Sequence, residues 1–211
     1  MNSDIEIRKA EEKDISLICQ MAVTRMLDTT ETSYLLKDIS DKEGLLTQAF
    51  NSQMEHVYRI GEVWMAGEYQ GLLAVFNGKK SSLLRAIQSA LDFNNRIGKH
   101  LTKADLKQLQ ANTKQTAGAN NFRWRKKICG NSNYYYIQLV AIDKTMKGSG
   151  ILRKLMQPVL ERAEQENVPV LIDTHDKDNI PIYEHFGFEL AIEHHAKKDP
   201  SIVQYSMIKR P

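Results

Sequence analysis

Tyr134-Tyr135-Tyr136-Ile137-Gln138-Leu139-Val140-Ala141-Ile142 is an apolar run that leads into a short basic turn, Lys147-Gly148-Ser149-Gly150. An amphipathic segment follows, with Leu152, Leu155, Met156, Val159, Leu160 and Ala163 on one stripe. Spacings of three, four, seven, eight and eleven put that stripe on one helical face. Val168 to Ile172 is a second apolar run, and a short helix then closes on Gly187. The order is strand, glycine turn, helix, strand, helix. A strand that enters a helix through a glycine turn presents free backbone N–H groups at the positive end of the helix dipole, and such a place binds phosphate.

Three phosphate-binding readings compete. A dinucleotide fingerprint needs a third glycine where Arg153 stands. A nucleoside triphosphate loop needs a Gly-Lys-Ser/Thr ending, which is missing. The third reading fits: the turn resembles the acetyl-CoA site of the GNAT superfamily of N-acetyltransferases, Q/R-x-x-G-x-G/A. Its register here is Lys147-Gly148-Ser149-Gly150-Ile151-Leu152. Gly150 matches, Lys147 replaces Gln or Arg, and Leu152 replaces Gly or Ala. Asn179-Ile180-Pro181-Ile182-Tyr183-Glu184-His185-Phe186-Gly187-Phe188 is similar to the family's second CoA-contacting motif. Within the family, Tyr136 to Phe188 resembles the puromycin N-acetyltransferase-like branch. The likeness rests on Asp143, on Pro158-Val159-Leu160-Glu161-Arg162-Ala163 and on Asn179 to Glu184.

The resemblance implies an α/β (α+β) fold, with a mixed, mostly antiparallel central sheet flanked by helices. It implies one domain over residues 1–211, with a helical insertion or lid at 79–130 before the central strand. It implies an acetyl-CoA-dependent transferase whose amine acceptor attacks the thioester directly in a ternary complex. Backbone from Gly148 through Ser149, Gly150 and Ile151 to Leu152 would bind the pyrophosphate, helped by Lys147. Val140, Ala141 and Ile142 would pair with the pantetheine arm and supply the oxyanion donor. Asn179 would hydrogen-bond the arm, and Tyr183 would contact CoA or protonate the leaving thiolate. The base is the least specified part: Asp173, His175 two residues on, Glu62 and water all remain open. No metal is implied, and the acceptor is expected to be a primary amine of a small molecule.

Composition agrees with a folded, soluble chain. It has 211 residues, 42% apolar and 26% charged, enough for a sizeable core. A net charge of +3 and a pI near 8.7 suit an anionic cofactor and do not demand nucleic acid. Cys19 and Cys129 are the only cysteines, so no disulfide framework is expected and a cytoplasmic setting fits. No run approaches the roughly 20 apolar residues of a membrane span, and Met1 to Lys9 has no apolar signal core. A monomer or homodimer is expected.

Ahead of the central strand, Ile5 and Ile7 read as a strand and Ile15, Ile18, Cys19, Ala22 and Met26 as a helix capped by Asp14. Residues 28–42 read as polar and irregular, followed by a helix to about Glu55. Val63 to Glu68 and Leu72 to Asn77 form a hairpin around Tyr69-Gln70-Gly71. In the insertion, Leu83, Ile87, Ala90 and Leu91 mark one helix. Thr102 and Asp105 form a capping box for another, and residues 112–121 read as a loop. Phe122-Arg123-Trp124-Arg125-Lys126-Lys127 is basic with aromatics interleaved. It reads as a solvated helix end or a wall over the acceptor, with Phe122 and Trp124 against the acceptor or anchoring that wall. The rival to an enzyme is a non-catalytic acyl-CoA sensor that contacts nucleic acid or protein through this run. After Phe188, Leu190 and Ile192, then Val203, Tyr205 and Met207, alternate as a final hairpin. His194 and His195 are adjacent on the chain and diverge, so they are not read as metal ligands.

Overall fold

Ile151, Leu155, Met156, Val159 and Ala163 are all buried, so the stripe on the helix after the glycine turn is the seam along which it lies on the sheet. Each such side chain contributes about 1.5–3 kcal/mol on leaving water. A computed structural model describes residues 5–81 and 83–211, with side chains at 83–87 excepted. Its elements run β1 (Ile7–Lys9), α1 (Ile15–Met26), α2 (Thr30–Leu35), α3 (Lys42–Ile60), β2 (Gly61–Ala66), β3 (Gly71–Asn77), α4 (Leu83–His100) and α5 (Lys103–Thr116). They continue with α6 (Trp124–Cys129), β4 (Tyr135–Ile142), α7 (Ile151–Gln165), β5 (Val170–Thr174), α8 (Ile180–Glu184), β6 (Glu189–His195) and β7 (Val203–Lys209).

The sheet has seven strands in the order β1-β2-β3-β4-β5-β7-β6. Only β4 and β5 run parallel, and every other pair is antiparallel. Alternation along β3 sends Leu72 and Ala74 to one face, with α1 and α3, and Leu73 and Val75 to the other, with α7. The mixed, mostly antiparallel architecture is the expected one.

Several local expectations change. Residues 28–42 contain α2, capped by Thr29, whose hydroxyl accepts from Thr32 N. Helix α3 continues to Ile60 rather than stopping near Glu55. Asp14 does not cap α1; it closes a 3-10 turn by accepting from Glu11 N at 2.8 Å and binds Arg8. Thr102 caps α5 as expected, but α5 runs on to Thr116, into the stretch read as a loop, of which only residues 117–121 are non-helical. Asn112 is buried in it and donates to Leu35 and Lys37 carbonyls at 3.0 and 2.8 Å. In α4, Ala90 and Leu91 are exposed and Ile97 is the buried residue. The side chains of Leu83 and Ile87, and Met1 to Asp4 of the N-terminal stretch, lie outside the described residues.

Glu62 faces away from the open site. Both of its oxygens accept from Arg162 at 2.7 Å, Lys9 donates at 2.9 Å and Trp64 Nε1 at 3.2 Å. Burial pushes its carboxyl up, but the donors from Arg162 and Lys9 overcome it and hold the pKa at about 2. A group so acidic cannot take a proton from an ammonium, so Glu62 is removed as a base. Its depressed pKa makes it a stability element instead: the contribution is complete above the ordinary value of 4.5 and is lost as pH falls through about 2. Glu62→Gln is expected to cost about 1–2 kcal/mol at pH 7. The melting-temperature gap to wild type should narrow steadily below pH 4.5, and a gap independent of pH would contradict this account.

Candidate active site

Pairing between β4 and β5 lasts for three residues, Tyr135↔Val170, Tyr136↔Leu171 and Ile137↔Ile172. One residue later β4 bulges: Ala74 pairs with Leu139 and Val75 with Ile137, so Gln138 is the extra residue. A bulge bends its strand and re-aims the chain beyond it. From Leu139 to Ile142 the strand keeps its β3 partner and has none on the β5 side. Into this opening fits a cavity of roughly 520 Å³, lined by Gln138, Leu139 and Val140 of β4 and by Asp173, Thr174 and His175 of β5 and its exit.

The other walls come from elements far apart in sequence. α1 and α2 bring Arg25, Met26 and Glu31, and α3 brings Leu46 and Phe50. Asn120 and Phe122 close one side, and Asn179 and Tyr183 another. The expected residues Val140, Asp173, His175, Asn179 and Tyr183 therefore converge on one cavity. Ala141, Ile142 and the whole glycine turn lie outside its lining.

The turn sits where an anion can reach it. Gly148 and Gly150 both have φ of 80°, and Gly150 is the residue before α7. That left-handed backbone is natural for glycine and costs about 1–2 kcal/mol for other residues. Ser149 N is used by Met146 O. Among the described residues no acceptor takes the N–H of Gly148, Gly150, Leu152 or Arg153. The Leu152 side chain packs half-buried against the core beneath α7 and does not enter the cavity. Lys147 and Ile151 fall on either side: Ile151 is in the core, while Lys147 is exposed.

Asp173 is held more firmly than its position on a strand end implies. It accepts from Tyr136 Oη at 2.8 Å, Trp124 Nε1 at 3.2 Å and Ser206 Oγ at 2.6 Å. Ser206 also accepts from Gln204 Nε2 at 3.0 Å, and Gln204 Oε1 takes the N–H of Asn121 at 2.8 Å. Burial and the Asp173 charge push the Tyr136 phenol far above its ordinary pKa, so it remains a donor. Gln204 and Ser206 are buried, although alternation with Val203, Tyr205 and Met207 put them on the outer face. β7 lies between β5 and β6, and the face that carries Gln204 and Ser206 is met by the Asn121 backbone and Asp173. The polar residues survive there because each is hydrogen-bonded.

The basic run divides. Trp124 is 1% exposed and anchors α6, whereas Phe122 is 56% exposed at the cavity edge. Arg125 lies 4.2 Å above the Tyr136 ring and donates to the Phe122 carbonyl, so it braces the wall from inside. Tyr183 is buried beside Phe188. Burial first, then Asp176, raises its pKa to about 12, and no described residue hydrogen-bonds its hydroxyl. Asn179 donates to Thr174 Oγ1 at 3.0 Å and does not cap α8 with its side chain. His175 sits with Nδ1 3.6 Å from Glu31 and its side chain 11% exposed. Glu31 was not anticipated. The readable signal was Thr29 as a cap with an acid in the first turn, which marks α2 but not its place over the cavity.

Residues 109–209 match the family model for the acetyltransferase (GNAT) domain, a stretch that includes β4, α7, β5 and α8. An uncharacterised N-acetyltransferase of Schizosaccharomyces pombe is 39% identical over 54 residues, covering 26% of this chain and only 22% of that protein. Among solved structures, a histone acetyltransferase HPA2 and related acetyltransferase from Corynebacterium glutamicum superposes with a TM-score of 0.62 at 16% identity, over 98% of this chain and 96% of that one. Arylalkylamine N-acetyltransferase 2 from Aedes aegypti does so at 0.61 and 13%, over 99% of both chains. At those identities the likeness is one of fold. The 109–209 match is a likeness to the GNAT acetyltransferase domain over a little less than half of the chain, and the sheet with its flanking helices has the fold of these acetyltransferase structures. Among the described residues no helix is long and apolar enough to cross a membrane.

Asp173→Asn keeps the shape of the side chain but replaces a charged acceptor with an amide that cannot satisfy all three donors. A loss of about 1.5–3 kcal/mol in urea unfolding is expected. Unchanged stability would mean that the Tyr136, Trp124 and Ser206 contacts do not hold this end of β5.

Proposed function

We propose that this protein transfers the acetyl group of acetyl-CoA to a primary amine of a small molecule, by direct attack within a ternary complex. The observation that carries the reading is the opening between β4 and β5 after Ile137↔Ile172, with the cavity inside it. An extended pantetheine arm can pair with the unpaired side of β4, as a missing strand would. Neighbours of the same fold are named for arylalkylamine and agmatine as acetyl acceptors, in keeping with an amine. The finer placement in the puromycin N-acetyltransferase-like branch rests on Asp143, the Pro158 to Ala163 stretch and Asn179 to Glu184. Residues 79–130 serve, in this reading, as a wall over the acceptor within one domain spanning 1–211. The enzyme works in the cytoplasm, where its free Cys19 and Cys129 stay reduced.

Each chemical task has a residue. Amides at Gly148, Gly150 and Leu152 grip the pyrophosphate at the positive end of α7, with Lys147 and Arg153 nearby. Backbone at Val140, Ala141 and Ile142 pairs with the arm and faces the thioester oxygen, where charge develops in the transition state. The Asn179 amide holds the arm from the other side. His175 takes the proton that an alkyl ammonium must lose before it can attack. Asp173, with three donors on its carboxylate, positions β5 and Tyr136 rather than removing that proton. Tyr183 donates to the departing sulfur. Its pKa near 12 keeps it protonated, and makes it a weaker acid than a thiol of about 8.5. It therefore passes a proton on from the nitrogen rather than ending as phenolate.

Calorimetry with acetyl-CoA, followed by thiol release across an amine panel, tests the reading. Tyr183→Phe should lower kcat by roughly 10²-fold and leave acetyl-CoA affinity nearly unchanged. Gly150→Val should abolish that affinity. Tight CoA binding without turnover on any amine would favour the sensing role over catalysis.

A further inference from the structure

The cavity is charged unevenly. Four carboxylates line it, Asp28, Glu31, Asp173 and Asp176, against Arg25 and Lys144. Three of the four are already engaged. Asp173 has its three donors, Asp28 faces Lys144 at 3.5 Å, and Asp176 accepts from Asp178 N at 3.0 Å. Arg25 is tied to Asp143. Glu31 is different: its charge reaches Tyr136, and its carboxylate faces His175 at 3.6 Å. That is too long for a hydrogen bond and close enough for a cation to be shared. The Glu31 side chain is 48% exposed at the mouth, while His175 reaches inward. His175 Nε2 has no partner among the described residues.

Beside this pair the wall is apolar, formed by Met26, Leu35, Leu36, Leu46 and Phe50, with Phe122 at the edge. The α7 turn, with Lys147 and Arg153, is basic. It lies outside the cavity lining, where Glu31 and the apolar wall suit a cation with a hydrocarbon body.

We propose that Glu31 is the specificity-determining residue of the acceptor pocket. It draws in the ammonium of a primary alkyl amine whose aryl or alkyl body lies along the apolar wall. The inference rests on the transferase reading and names its substrate class. Glu31 opposite Nδ1 favours a proton on that nitrogen and leaves the Nε2 lone pair toward the ammonium. The ammonium gives one proton to Nε2, which later releases it to water. The neutral nitrogen attacks the thioester carbon, the C–N bond forms and the C–S bond breaks. The second nitrogen proton reaches sulfur through Tyr183, so the products are the amide, CoA thiol and one proton.

The test titrates 2-phenylethylamine and its neutral isostere 2-phenylethanol into the protein at pH 7, with and without CoA. Wild type should bind the amine about tenfold more tightly than the alcohol. Glu31→Gln should remove most of that preference, leave the alcohol unaffected and, with acetyl-CoA present, raise KM for the amine more than it lowers kcat. Unchanged alcohol affinity shows that the pocket remains intact in the variant. Equal binding of the two probes to wild type, binding of neither, or a preference that survives Glu31→Gln overturns the inference. CoA affinity is read separately: its absence would sink the transferase reading, while its presence beside any of those three results would sink only the role of Glu31.

Discussion

The parallel contact between β4 and β5 stops after three residues, and the rest of the molecule is arranged around that stop. Two strands that stay paired leave no room between them, and two that never pair cannot be held in one sheet. Here the join at Ile137↔Ile172 is kept, and the extra residue Gln138 turns the rest of β4 away. Both edges of the resulting wedge remain in the sheet, because β3 holds one and β7 holds the other. Unpaired backbone at a strand edge is ordinarily a liability; buried beside a cavity of roughly 520 Å³, it is a place for an extended ligand.

Keeping β5 in position requires more than its ladder. Asp173 lies at the point of divergence, and a buried carboxylate is tolerated only with donors around it. Tyr136 from β4, Trp124 from α6 and Ser206 from β7 supply them. The same network continues through Gln204 to the backbone of Asn121, next to the cavity residues Asn120 and Phe122. This side of the cavity is thus tied to its floor. Arg125 stacked on Tyr136 closes the arrangement from the other side.

Charge then distinguishes the α7 turn from the cavity, whose lining does not include it. The N-terminus of α7 offers amides and basic side chains, and the α2 side offers acid. Glu62 shows that a carboxylate near a strand is not enough: held by Arg162 and Lys9, it belongs to the fold rather than to the site.

Local pattern determined the elements that carry their own signals. The stripe from Leu152 to Ala163, the glycines at 148 and 150, and the hairpin about Tyr69 to Gly71 each follow from spacing or from a backbone angle that few other residues adopt. The mixed, mostly antiparallel sheet and the grouping of Asp173, His175, Asn179 and Tyr183 were legible through the family resemblance, though the number of strands was not. Only tertiary structure decided the rest. Whether Gln204 and Ser206 face water depends on what packs on their face of β7, and whether Asp173 is a base or a strut depends on donors 33 to 49 residues away. Glu31 meets His175 across 144 residues of chain, because α2 packs over the opening. Periodicity reports what lies on a face; it says nothing of what comes to cover that face.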